Sequence, residues 1–367
     1  MAWCSPEIEF SKDVYFPGDQ VTGKVLVSTQ KDMTARSVEI SFVGRTLTAW
    51  RVEGNQTSQP VHDHTHKKAE DIFLEFKHIV WTPEDSQNTF PAGDYEWKFS
   101  FDLPRECPAS FEGTFGHIRY FVRANFDVPR WIDTKIESAI TVSPTIDLNS
   151  IPGSNERVEV ERVKINSKVS CFPILGNYGP VVYKINSPKL CYVSGETIHI
   201  SGTIENRSSK PLEKVEAKLE RAVVYRDARN NYLINAIDNS TGSDSYSKTE
   251  NTVLQERKEY WKIERGETKA FEFSFEIPPV VATIRNSKFI NVEYWITVDA
   301  GRGMCDESSA KGFRLVIGNV PILEKGTTTL PPHKFVKSDP TKCWSAGLKP
   351  EFNCLVPYYG TSETESN

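Results

Sequence analysis

Tyr15–Val25 reads YFPGDQVTGKV, and Tyr192–Ile204 reads YVSGETIHISGTI. Each runs from an aromatic residue through a small turn residue to glycine and an acid, then into an alternating stretch with a second glycine. One such echo proves little, so the test is whether the neighbouring phrases repeat in the same order. They do. RSVEISFVGR sets Val38, Ile40 and Phe42 on one face, and EKVEAKLER sets Val215, Ala217 and Leu219 in the matching places. GDYEWKFSFDLP alternates Trp97, Phe99, Phe101 and Leu103 with polar residues, and GETKAFEFSFEIP does the same with Phe271, Phe273, Phe275 and Ile277. Both end on proline, Pro104 and Pro278, which has no N–H for a ladder and so closes a strand. Ile118, Tyr120, Val122 and Ala124 then match Val292, Tyr294, Ile296 and Val298 at a near-constant offset. The chain is a tandem duplication.

Alternation with one apolar face signals half-buried antiparallel strands that pack on a second sheet. Several such strands per half, punctuated by Gly, Pro, Asn and Asp, predict an all-β protein of two tandem antiparallel immunoglobulin-like β-sandwiches. The expected units are a first sandwich over 1–148, a linker over 149–156, a second sandwich over 157–325 and a tail over 326–367. The tail lacks sustained alternation and is rich in Pro, Ser, Thr and Lys, so it is expected to be disordered. One run, KKAEDIFLEFKHIVW, fits two readings. Ile72, Phe73 and Phe76 suit helical spacing, whereas Ile79 and Trp81 continue an alternation.

Bulk properties narrow the function. A chain of 367 residues suits about two domains with a core each. A net charge of −5 gives no global basic field to favour nucleic acid. The start, MAWCSPEIEFSKD, does not read as a signal peptide, and no apolar run is long enough for a membrane-spanning helix. Seven scattered cysteines without a Cys-x-x-Cys pair fit reduced thiols of a cytosolic protein. Sequons at Asn55, Asn206 and Asn239 are then expected to be chance matches.

Two tandem sandwiches and a Pro/Tyr tail resemble the arrestin superfamily, in its α-arrestin (arrestin domain-containing) branch. The resemblance rests on VYFPGDQVTGKVLV (Val14–Val27), FPAGDYEWKFSFDLP (Phe90–Pro104), CPASFEGTFGHIRYFVRANFDVP (Cys107–Pro129), VSGETIHISGTIENRS (Val193–Ser208) and FINVEYWITV (Phe289–Val298). Its most specific part is SFEG followed by GHIRY. Physically, Gly18 and Gly195 read as the bends that launch a strand in each sandwich. Gly113 and Gly116 read as a hairpin needing positive φ or a tight bend.

Candidate chemistry is sparse. His62, His64 and His66 alternate in HDHTHKKAED, which raises a metal site. On a strand, residues two apart lie about 6.6 Å from each other and residues four apart about 13 Å. One zinc with bonds of about 2 Å could therefore take two of the three, and a solvated loop is the expected reading. No nucleophile elbow, Walker loop, Gly-x-Gly-x-x-Gly or His-Glu-x-x-His occurs, so no catalytic, cofactor or metal residue is assigned. Lys12 and Lys24 lie where receptor-phosphate-binding arrestins carry lysines, but without a specific motif they read as ordinary surface residues. The redox role some members place on a cysteine midway through the second domain is not expected, because none lies between Cys191 and Cys305.

The resemblance implies an adaptor. Its sandwiches would hold cytoplasmic segments of membrane receptors or transporters. Its tail would bring in WW-domain HECT-type ubiquitin ligases through Pro-Pro-x-Tyr motifs, with the protein cytoplasmic and recruited to plasma membrane and endosomes. VPYY keeps Pro357 and Tyr359 but has Val356 in place of the first proline, and LPPHKF has Pro331 and Pro332 with Lys334 where tyrosine belongs. Three outcomes stay open for this tail: WW docking through those residues, folding back through Phe352, Leu355 and Tyr358, or an unstructured end. A structural coat subunit of endosomal sorting and a metal-dependent activity at His62–His66 are the rival functions.

Overall fold

The computed structural model describes residues 5–51, 66–129, 134–165, 179–228, 247–301, 311–324, 326–327, 329–338 and 352–360. The first sandwich contains β1 (Ser5–Phe10), β2 (Val14–Tyr15), β3 (Gln20–Thr29), β4 (Met33–Thr34), β5 (Ser37–Arg51) and β6 (His66–Trp81). It continues with β7 (Thr89–Phe90), β8 (Gly93–Asp102), β9 (Phe111–Gly113), β10 (Gly116–Asp127) and β11 (Thr134–Val142). The second is built from β12 (Val158–Ile165), β13 (Pro180–Ser187), β14 (Cys191–Val193), β15 (Thr197–Asn206) and β16 (Lys214–Arg226). Its remaining strands are β17 (Ser247–Glu259), β18 (Thr268–Glu276), β19 (Ile290–Gly301) and β20 (Lys311–Gly318).

The duplication read from the phrases is also a duplication of topology. One sheet of the first sandwich runs β2-β11-β10-β5-β6, and its counterpart runs β14-β20-β19-β16-β17. The facing sheets are β1-β3-β8 and β12-β13-β15-β18. Val38, Ile40 and Phe42 are fully buried, as are Val215, Ala217 and Leu219, so the alternation marks the face that meets the opposite sheet. The strand pairs are antiparallel except for two. The short strand of each repeated phrase pairs in parallel, β2 with β11 and β14 with β20. Gly18 and Gly195 follow these strands at φ +90° and +93°, a region that side chains with a Cβ rarely adopt.

KKAEDIFLEFKHIVW is strand throughout, within β6. Its pairing with β5 slips at two places, between Gly44 and Arg45 and between Val38 and Glu39. Each slip inserts an extra residue, Phe73 and Val80, and shifts the phase of the apolar positions by one. The apparent helical spacing is a bulged strand.

Between the sandwiches, Leu148–Ser150 forms a single 3-10 turn capped by Asp147, whose side chain accepts from the Asn149 N–H. The turn is tied to the exit of β20. Asn149 Nδ2 donates to the Pro321 carbonyl at 2.8 Å, the Leu323 N–H donates to Asn149 Oδ1 at 2.8 Å, and Asn319 Nδ2 donates to Ser143 Oγ at 3.1 Å.

Of the two reasons expected for the glycines of the most diagnostic motif, positive φ or a tight bend, the structure has the tight bend, with Gly113 paired to Gly116. Neither Gly113 nor Gly116 has positive φ. A Cβ on Gly113 would stand 2.2 Å from the hydroxyl of Tyr225 in the second sandwich, and one on Gly116 would stand 2.3 Å from the Leu47 carbonyl. The motif is a tight hairpin pressed against the other domain. Gly113→Ala is expected to destabilise the protein by about 1–3 kcal/mol through overpacking, and adding Tyr225→Phe is expected to recover part of that. Urea unfolding of the two single variants and the double variant checks the coupling.

Candidate functional site

The segment expected to be disordered contains two further strands, β21 (Lys334–Lys337) and β22 (Leu355–Tyr358). They pair antiparallel with Val336 opposite Val356, and Phe335 opposite Pro357. This small sheet lies on the body and touches both copies of the repeated phrase. Phe335 meets Phe16 of YFPGD edge-on, with ring centroids 6.3 Å apart. The Tyr359 N–H donates to the Ser194 carbonyl of YVSGE at 2.9 Å. Gly195 is bare for this reason as well as for its φ, because a Cβ there would stand 2.0 Å from the Gly360 nitrogen. The Leu355 N–H donates to Thr141 Oγ1 at 3.2 Å, on the strand beside the first repeated phrase. One hairpin thus spans the two turns that duplication created.

Alternation in β22 decides which tail side chains anchor it. Cys354 and Val356 are 1% and 4% exposed and belong to the main core, with Pro357 buried beside them. Phe352, Leu355 and Tyr358, the anchors expected from sequence, are half-buried; Phe352 packs against the core beside Cys354 and Val356, which are the more deeply buried. Tyr359 packs with Leu148, Cys191 and Val193 and donates its hydroxyl to the Asn319 carbonyl at 2.7 Å. Tyr358 donates its hydroxyl to Glu276 Oε1, and burial together with that carboxylate pushes the phenol up to about 12. Val356 and Pro357 are therefore buried with Tyr359 half-buried beside them, while Pro331 and Pro332 are exposed next to His333, whose ring packs on Tyr359 at 4.9 Å.

A second set of links joins the sandwiches directly. Thr48 Oγ1 donates to the Arg226 carbonyl at 2.7 Å, and Thr114 and Tyr225 both donate to Glu250, at 2.5 and 3.0 Å. Lys67 and Asp227 approach to 3.9 Å while almost wholly buried, and Lys288 reaches Asp71 at 3.4 Å near the surface. Behind the Gly113 hairpin lies a buried charged group. Arg119 pairs with Glu112 on β9, and His117 is fully buried on β10 where the charges of Arg119 and Arg45 both bear on it. Burial raises the Glu112 carboxyl, against the Arg119 hydrogen bonds that hold it down.

Comparison with known proteins now separates family from chance. The family described as Arrestin (or S-antigen), N-terminal domain, matches residues 4–149, and its C-terminal counterpart matches residues 177–322. The chain belongs to the arrestin family. Among its relatives is arrestin domain-containing protein 17 of Caenorhabditis elegans, 26% identical over 86% of this chain and 70% of the relative. Arrestin domain-containing protein 4 of Mus musculus is 24% identical over 97% of this chain and 80% of the relative. Mouse arrestin domain-containing protein 1 is 28% identical over 63% of this chain, which spans about half (49%) of that relative. These relatives place the chain in the arrestin domain-containing branch, with an arrestin-like adaptor role.

The remaining candidate residues of this arrestin fall into place individually. Lys12 pairs with Asp19 at 3.3 Å, and Lys24 with Glu9 at 3.1 Å. Asn206 is fully buried, and its amide donates to the Lys210 and Ile263 carbonyls, so this sequon is a turn-closing asparagine. Asn55, Asn239, His62 and His64 lie outside the described residues, as does the His66 side chain. Among the described residues no cluster of three or more His, Cys, Asp or Glu could hold a metal, and no helix is long and apolar enough to cross a membrane. The sequence signal for the hairpin was weak: four residues per strand, and a tail composition that reads as disorder.

Two outcomes follow. Val356→Asp places a carboxylate in the core and is expected to lower stability by about 2–4 kcal/mol, measured by urea unfolding, while Pro331→Ala leaves it unchanged. His117 is held to about 2, chiefly by burial and then by Arg119 and Arg45, so it stays neutral in the fold, whereas the unfolded chain takes up its proton below 6.5. The folded state therefore loses stability as pH falls below that value, by up to about 1.4 kcal/mol per pH unit. Glu112, raised in the fold, binds its proton early and opposes the loss at lower pH. Between pH 6.5 and about 5, His117→Gln is expected to remove the slope, read from urea unfolding at each pH.

Proposed function

We propose that this arrestin is a non-catalytic cytosolic adaptor that links membrane receptors or transporters to ubiquitin ligase and endocytic machinery. The sandwiches hold cytoplasmic segments of the membrane cargo at plasma membrane and endosomes. The tail brings in a WW-domain HECT-type ligase, and the pairing raises ligase concentration near the cargo. What supports this reading is an arrestin body carrying a tail strand that ends Pro357-Tyr358 and is followed by Tyr359. A WW groove takes such a segment as a polyproline helix with the Pro and Tyr side chains presented. In the docked hairpin Pro357 is buried and the Tyr359 hydroxyl is bonded to Asn319, so docking on the body and docking in a WW groove exclude one another.

The same hairpin favours a second reading, in which the tail is purely structural and the sandwiches bind coat proteins of endosomal sorting. A WW-domain titration separates the two. A synthetic peptide of residues 350–367 is expected to bind, Tyr359→Ala to abolish binding, and the full chain to bind at least about tenfold more weakly because only its undocked fraction competes. A silent peptide removes the ligase arm and leaves the coat reading. Equal affinity of peptide and full chain refutes the masking.

A further inference from the structure

The hairpin carries one residue whose modification its own surroundings would not tolerate. Tyr358 is half-buried at the end of β22, and its hydroxyl donates to Glu276 on β18. Glu276 is the charged group that bears on this phenol. The ring also folds over the chain end, since a Cβ on Gly360 would stand 2.5 Å from the Tyr358 hydroxyl. On that side the oxygen faces main chain, and on the other a carboxylate. Tyr359 differs: its ring lies in the apolar cluster with Leu148 and Val193, and its hydroxyl meets a neutral carbonyl.

We propose that Tyr358 is a phosphoacceptor whose modification unlatches the tail hairpin from the two sandwiches. A protein tyrosine kinase with ATP supplies the reaction. The Tyr358 oxygen attacks the γ-phosphorus, an O–P bond forms, the bond to the β,γ-bridging oxygen breaks, ADP leaves, and the phenolic proton passes to the kinase base. The product has lost the proton that Glu276 accepts and carries about −1.5 to −2 charge in its place. A phosphate beside the Glu276 carboxylate is repelled by it.

Kinases act on extended segments, so the undocked fraction is modified and then cannot re-dock. Phosphorylation becomes a trap for the open state, in the sense of a shift between two pre-existing populations. The links that remain are the Leu355 and Tyr359 amides, the Tyr359 hydroxyl and ring, the Phe335–Phe16 contact, the buried Cys354, Val356 and Pro357, and Val336 and Phe352 on the core. Tyr359 is left unmodified, so the released strand presents Pro357 and Tyr359 intact. This last consequence alone rests on the ligase reading, and the unlatching does not.

Cys354 provides the readout, because its thiol is buried by the docked hairpin, and the buried Cys107 in the first sandwich is an internal reference. Phosphotyrosine is installed at position 358 of the full chain by codon suppression. Alkylation of each cysteine by iodoacetamide is followed by peptide mass spectrometry. Phosphorylated protein is expected to alkylate at Cys354 at least about tenfold faster than unmodified protein, with Cys107 unchanged. Tyr358→Phe, which loses the hydrogen bond but gains no charge, is expected to accelerate Cys354 less. Glu276→Gln is expected to restore part of the protection to the phosphorylated chain. Cys354 rates equal to those of unmodified protein, or equal to those of Tyr358→Phe, overturn the proposal. Acceleration at Cys107 in parallel means global unfolding and overturns it too.

Discussion

The amide of Tyr359 reaches the carbonyl of Ser194 because Gly195, the next residue, carries no side chain. On that close approach depends the placement of β22. With it, Tyr359 and Gly360 lie against the second sandwich, and Cys354 and Val356 enter the core. A β-carbon at Gly195 would stand 2.0 Å from the Gly360 nitrogen and hold the strand off the body, and those side chains would lose their pockets.

Duplication explains why such a seat exists. Each sandwich needs one short parallel strand and a glycine bend to enter its fold, at β2 with Gly18 and at β14 with Gly195. Two copies in one chain put two such bends within reach of a single hairpin. Phe335 meets Phe16 at the first, and Tyr359 with Gly360 meets Ser194 and Gly195 at the second. The hairpin is the element that is not repeated, and it joins the repeats alongside the Gly113–Tyr225 contact and the Thr48–Arg226 bond. In the proposed function the hairpin and a ligase compete for the same residues, since those that hold it down include Pro357 and Tyr359.

Sandwich strands were legible because burial on one face imposes a two-residue period that survives in the sequence. Strand β6 was only half legible, since the bulges at Phe73 and Val80 move its apolar residues out of phase. Gly113 could be seen in its motif, but its reason could not, because Tyr225 lies in the other domain and no local pattern encodes that contact. The tail was misread for a related cause. A strand of four residues is too short for periodicity to stand out from a background of Pro, Ser and Thr. Its order comes from the body it docks on, through Thr141, Ser194, Glu276 and Asn319, none of which is near it in sequence. Among the apolar tail residues Phe352 packs on the core as its hydrophobicity suggests, but the deeper burial of Cys354 and Val356 is set by the seat on the body and has no local signal.

Amide hydrogen exchange across residues 355–359 of the unmodified full chain tests the central claim, that the tail is a docked part of the fold, most directly. The account predicts exchange at least about 100-fold slower than in a free peptide of the same sequence, with the Tyr359 amide among the slowest. Exchange at the free-peptide rate would contradict it.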